Sequence, residues 1–297
     1  MKAPRTHMLS FDVEEHFQVS AFWTEERRRE WDKLESRVVR NTHRILNVLG
    51  QHSTQATFFI LGWVAERHPG LVKDLVNGGH EVASHGYGHE LVSDLTPEQF
   101  REDVRKAKAI LEDAAGRPVC GYRAPSFSIS SKTPWALPIL VEEGYRYDSS
   151  VYNRFKGSSD DAALQRGAVE VQTSAGPLIE VSPSTLTALG LQLPVAGGGY
   201  FRLLPYWVSR LFLKRLEKQG VPLVMYLHPW ELDPEQPRMQ GSMISTVRHY
   251  LNLRKTEQRL AWLLDEFSFA PIQDAMGRIV GTHAMAIRGQ REVAATP

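Results

Sequence analysis

The stretch LSFDVEEHFQVSAFW places Asp12, Glu14, Glu15 and His16 after a short apolar run and just before Phe17, Phe22 and Trp23. Carboxylates beside aromatic rings are costly to bury unless something pairs with them. One reading is a solvated acidic turn; the other is half of a site. Farther along, SHGYGH supplies His85 and His89. Imidazoles four positions apart can chelate one ion, and Gly86 and Gly88 favour a loop over a helix face there. A carboxylate as third ligand completes a set that suits zinc and leaves a position open for water or substrate. Residues i and i+2 of a strand face the same side, so Asp12 and Glu14 offer one carboxylate to an ion and another to a proton. YRAPSF adds Arg123, YRYDSS adds Asp148 and YLHPWE adds His228. Each alone has an ordinary explanation: a surface charge, a turn cap, a satisfied histidine.

Together they fall at the ends of apolar runs. The pattern predicts strands at Met8–Phe11, Ala56–Leu61, His80–Ser84, Val119–Tyr122, Tyr145–Ser149 and Pro222–Leu227, with a strand pair at Val169–Gln172 and Leu178–Val181. Helices are predicted around Val38–Leu49, Pro69–Asn77, Pro97–Ala115, Pro134–Glu143, Pro205–Gln219 and Leu253–Glu266, the third opened by the capping box Thr96-Pro97-Glu98-Gln99. Strands alternating with helices argue for a parallel sheet, whose C-terminal edges share one face and carry the active site. Residues 150–205 break the alternation and read as an insertion, and the tail from Ala275 has weak periodicity. GGGYFR, residues 197–202, reads as a loop of close backbone approach from which Tyr200 and Arg202 could touch substrate. Trp230 and the other aromatics near these motifs either line a binding groove or pack in the core.

Composition removes several classes of function. Formal net charge is +1 with no basic block, which excludes a nucleic-acid footprint. The single cysteine, Cys120, precludes an intrachain disulfide. No secretory signal and no run long enough to span a membrane is seen. A cytoplasmic location is therefore expected, with membrane-peripheral and periplasmic locations as alternatives.

The ordered set FDVEE, SHGYGH, YRAPSF, YDSS and LHPWE resembles the five motifs of the polysaccharide deacetylases, the NodB-homology or carbohydrate esterase family 4 domain, over about residues 8–230. DVEEHFQVSAF, PVAGGGYFRLLPY and YLHPWELDPEQPR resemble the branch associated with exosortase-type exopolysaccharide gene clusters. The resemblance implies an α/β fold, a distorted (β/α) barrel of about seven strands. It implies one catalytic domain over residues 1–297, with a branch-specific extension at 190–272 and a disordered tail at 275–297. By resemblance, His85 and His89 are metal ligands and Asp12 is the base. Val13 follows Asp12 where many members carry a second aspartate, so Glu14 takes the third ligand position, with Glu15 as fallback. His228 matches the general acid, Arg123 the residue that orients the base, Asp148 the residue that tunes the acid, and the Ser126 N–H an oxyanion donor.

The implied function is metal-dependent removal of N-acetyl groups from N-acetylhexosamine units of an exopolysaccharide or its precursor, most naturally with Zn2+, and with Co2+ or Ni2+ as substitutes. An amidohydrolase acting on a cyclic imide, ureide or formamide is the alternative. A non-catalytic saccharide-binding protein ranks third, since Asp12, His85, His89 and His228 are all present.

Overall fold

The computed structural model describes residues 7–151, 167–188 and 191–276. In chain order the elements are β1 (His7–Val13), α1 (Glu25–Arg29), α2 (Val38–Gln51), β2 (Thr57–Ile60), α3 (Gly62–Arg67), α4 (Pro69–Asn77) and β3 (Glu81–Ser84). Then come α5 (Pro97–Ala115), β4 (Gly121–Tyr122), α6 (Ala136–Glu142), β5 (Tyr147–Asp148), β6 (Val169–Thr173), β7 (Gly176–Glu180), β8 (Thr185–Ala188) and β9 (Leu191–Pro194). The chain continues through α7 (Gly198–Leu203), α8 (Tyr206–Gln219), β10 (Val224–Leu227), α9 (Met243–Tyr250), α10 (Leu253–Glu266) and β11 (Phe269–Ala270).

One mainly parallel sheet runs in the order β10-β1-β2-β3-β4-β5-β7-β6, with β11 also paired to β1. Only β6 and β7 pair antiparallel within it, and β8 and β9 form a separate hairpin. β1 is buried along its whole length, as a central parallel strand must be. Its alternation divides the interior. Leu9, Phe11 and Val13 join Phe58, Ile60, Ile45 of α2 and Val104 of α5 in the main core. Met8, on the other face, joins Phe59, Ala83 and Tyr147 in a smaller one.

Register decides where the polar strand ends arrive. Val13 pairs with Ile60, Ile60 with Ser84, Ser84 with Tyr122 and Tyr122 with Asp148, while Phe11 pairs with Leu227. Residues 12–14, 85, 123 and 228 therefore emerge along one edge, although sequence separates them widely.

Differences from the sequence expectation are local. GGGYFR is not a loop: Gly198–Leu203 is helical, because Phe201 and Arg202 are both anchored in the interior. α1, α3, α9, β11 and the β8–β9 hairpin were not anticipated, all being short. Ala275 and Met276, expected in a frayed tail, are packed with Met8 and Phe59 in the smaller core. Residues 277–297, residues 1–6 and residues 152–166 of the expected insertion lie outside the described residues.

Candidate active site

A cavity of about 400 Å3 opens at the C-terminal edge of the sheet, lined by Asp12, Glu14, His85, His89, Ser126 and His228 among others. They are delivered by several separate strand ends and turns of the chain. Asp12 lies in β1, and Glu14 follows its end. His85 and His89 leave β3 through a loop in which Gly86 and His89 both take left-handed backbone angles, φ 75 and 57. A left-handed histidine is uncommon, and here the loop turns its ring back beside that of His85.

Glu14, His85 and His89 have ligand-capable atoms all within 4.8 Å of one another, and all three residues are buried. His85 Nδ1 lies 2.8 Å from the Arg123 carbonyl oxygen, which can only accept, so Nδ1 carries the proton and Nε2 keeps its lone pair. Burial presses the His85 pKa down to about 4. Glu14 Oε1 accepts a hydrogen bond from Trp230 Nε1 at 2.9 Å. Its Oε2 is buried and accepts no hydrogen bond, although it lies 2.5 Å from His89 Nε2. Burial alone would raise the Glu14 pKa, but the facing histidines overcome it and hold the carboxyl far below its usual range. An orphaned carboxylate oxygen pressed against two imidazoles is the donor set that a divalent cation satisfies, so the residues fit such an ion.

Glu15 is committed elsewhere. Its carboxylate accepts the Arg37 and Val38 backbone N–H groups at 3.0 and 3.2 Å, and the Ser36 hydroxyl. It thus caps the N-terminus of α2, which has no side-chain cap of its own. Alternation along β1 puts Asp12 and Glu14 on the cavity side.

Asp12 Oδ1 receives Arg123 Nη1 at 2.6 Å. The Arg123 guanidinium is fully buried, lies 4.1 Å above the Phe59 ring and also donates to Ser10 Oγ, Ser149 Oγ and the Ser149 carbonyl. Asp12 Oδ2 faces His228 Nε2 at 3.8 Å, beyond direct hydrogen-bond distance. His228 Nδ1 lies 2.6 Å from Glu231 Oε1. Burial opposes charge on this ring, yet the hydrogen bond to Glu231 and the nearby Glu14 and Asp12 carboxylates raise its pKa to about 9.

The residue on His228 is therefore Glu231 and not Asp148. Asp148 sits opposite Glu180 across the β5–β7 ladder and accepts from Ser150 N at 3.1 Å and Ser150 Oγ at 2.5 Å. Burial pushes the Asp148 and Glu180 carboxyls up. Ser150 Oγ in turn receives the Ala124 N–H at 2.7 Å, so Asp148 supports the strand end that carries Arg123. Glu231 was missed from sequence, although His228 and Glu231 stand at the spacing of a capping box, Glu231 Oε1 accepting the His228 N–H at 3.1 Å.

Arg202 and Trp230, two of the expected substrate contacts, line this cavity, and both are also held within its wall. Arg202 is buried and pairs through Nε with Glu231 Oε2 at 2.5 Å, so it anchors the carboxylate that faces His228. Trp230 is buried between two imidazoles, stacked 4.9 Å from His228 and 4.1 Å from His249. Tyr200 lines a second, apolar cavity beside the first. Ser126 lines the main cavity with φ 52, its hydroxyl 2.7 Å from that of Ser20. Gly198 is required here, since a Cβ at that position would overlap the Glu231 carboxylate.

Residues 31–147 match the model of the polysaccharide deacetylase family, and residues 149–277 match that of a domain of unknown function, DUF3473. A peptidoglycan-N-acetylglucosamine deacetylase of Bacillus cereus is 35% identical over 96 residues, which are 32% of this chain and 35% of that protein. A peptidoglycan deacetylase of Helicobacter pylori is 32% identical over 108 residues, 36% of each chain. The chain thus covers only 35% and 36% of the length of these two curated relatives. The crystal structure of a candidate polysaccharide deacetylase from Mycobacterium smegmatis has a TM-score of 0.61 at 20% identity, covering 98% of this chain and 93% of that one, and shows the same fold. The chain thus carries a polysaccharide deacetylase domain at residues 31–147, followed by a DUF3473 domain at residues 149–277.

Proposed function

We propose that this protein removes N-acetyl groups from N-acetylhexosamine units of an exopolysaccharide or its precursor, and that it needs a divalent metal, zinc above others. The observation that carries this reading is the Glu14–His85–His89 cluster with Asp12 and His228 facing each other beside it. Glu14, His85 and His89 would hold the ion, which when bound polarises an amide carbonyl and acidifies a water. Asp12, fixed through Oδ1 by Arg123, offers Oδ2 to take a proton from the attacking water. His228, kept protonated by Glu231, delivers a proton to the departing amine, without which an amine is a poor leaving group. The Ser126 N–H is proposed as the donor to the oxyanion. The N-terminal stretch with Asp12 and Glu14, the deacetylase region with His85 and His89, and the DUF3473 region with His228 and Glu231 would then act as a single catalytic unit.

Acetate release from a panel of N-acetylated oligosaccharides tests the reading, together with metal analysis of the purified protein. Chelation should abolish release and added zinc should restore it. Full activity in a rigorously metal-free preparation overturns the reading, and turnover of cyclic imides or ureides without any of acetylated sugars replaces it with the other amidohydrolase class.

A further inference from the structure

Beside the polar cavity lies an apolar one of about 460 Å3, lined by Tyr200, Leu203, Met243, Val247 and Leu251 among others. Its walls are unusually bare for apolar side chains: Met243 is 83% exposed, Ile244 82%, and Leu203 and Val247 56% each. Positions 243, 244 and 247 form one face of α9, and Leu203 closes α7. The opposite face of α9 carries His249, which packs on Trp230. A single helix thus has the acid's ring stack on one side and an uncovered apolar face on the other.

The two cavities share a wall. Gly199, Ile244 and Arg248 line both. Arg248 is exposed and, among the described residues, has no carboxylate partner; its guanidinium lies 5.8 Å from the Tyr200 ring centroid. The order along this path is polar site, unpaired cation, apolar groove.

We propose, on the strength of the deacetylase reading, that the substrate is amphiphilic: an N-acetylated sugar over the Glu14–His85–His89 cluster, an anionic linkage at Arg248 and an apolar chain in the groove between α7 and α9. A phosphodiester is the linkage of choice, because it keeps one negative charge while joining two groups, whereas a carboxylate ends a chain. The charge of Arg248 complements it. The concavity of the groove and its shared wall with the catalytic cavity favour a chain belonging to the substrate over contact with a bilayer surface. The site therefore selects a lipid-linked precursor over a finished polymer.

Isothermal titration of the full-length protein tests this without relying on turnover. The probes are N-acetylglucosamine 1-phosphate, decyl phosphate below its critical micelle concentration, and the decyl phosphodiester of N-acetylglucosamine 1-phosphate. The conjugate should bind at least about tenfold more tightly than the sugar phosphate, since even a few buried methylenes supply that factor. Met243→Asp and Val247→Asp, at exposed positions that leave the core intact, should each erase the advantage, and Arg248→Ala should weaken both phosphate-bearing sugars. Equal affinity of conjugate and sugar phosphate overturns the proposal. So does sedimentation with phosphatidylglycerol vesicles that Val247→Asp abolishes while the conjugate shows no advantage, which makes the face a membrane contact. Tight conjugate binding with no acetate release from any substrate would instead sink the deacetylase reading and leave the amphiphile site standing.

Discussion

His228 carries its proton at neutral pH because Glu231 faces its Nδ1, and Glu231 is fixed in turn by Arg202. On the proposed reading His228 is the general acid and works in its protonated form, so activity should persist up to about pH 9 and fall above it, as His228 loses its proton. Glu231→Gln removes the charge that raises the ring, and the alkaline limb of the kcat/KM profile should move down toward the ordinary histidine value of 6.5. Asp148→Asn should leave that limb where it is, since Asp148 contacts Ser150 and not His228. An unmoved limb in Glu231→Gln would assign the acid elsewhere. The Trp230 indole bears on the other half of the site. Its N–H occupies Glu14 Oε1 and leaves Oε2 for an ion, so Trp230→Phe should weaken zinc affinity by about 10- to 100-fold in a competitive chelator titration. Undiminished affinity would make the ring a packing element only.

The DVEE turn shows how one short element divides its carboxylates between chemistry and architecture. Glu15→Ala should cost about 2 kcal/mol of unfolding free energy by losing the cap of α2, while zinc binding survives. Glu14→Gln should do the reverse. Equal loss of metal in both variants would refute the division. At α7, Gly198→Ala forces a methyl into the Glu231 carboxylate and should lower the alkaline limb as Glu231→Gln does, with about 1–3 kcal/mol of destabilisation measured by urea unfolding. The strand-end residues were legible in sequence because parallel ladders bring apolar runs into register and leave the next polar residue at a shared edge. The helix at Gly198–Leu203 was not legible, since three glycines argue against a helix and only the burial of Phe201 and Arg202 imposes it. The choice between Asp148 and Glu231 was likewise hidden. Both lie near strand ends, and the turn that folds Glu231 back onto His228 is set by tertiary packing around Arg202.

On the scale of the molecule, two buried histidines outside the metal cluster make stability depend on pH. His80 accepts the Ala56 N–H through Nδ1 and is pressed by burial to about 4; His249, buried beside Arg202, is pressed to about 3. The unfolded chain takes up these protons near 6.5 and the folded chain only at 3 to 4, so the unfolded state binds more protons between those values. Stability should be full above about pH 6.5 and should fall as pH drops through that window, and His80→Asn should flatten part of the slope in urea titrations at successive pH values. A slope unchanged in His80→Asn would mean that this ring is not held neutral. The β1–β10 ladder has a different kind of consequence. It joins residues 7–13, which precede the matched deacetylase region, to the DUF3473 region, and on the proposed reading the metal cluster lies in the N-terminal part of the chain and the proton donor in the DUF3473 region. Recombination that swapped either region alone would pass on a cradle without a donor, or a donor without a cradle. The two are bound to be inherited as one unit.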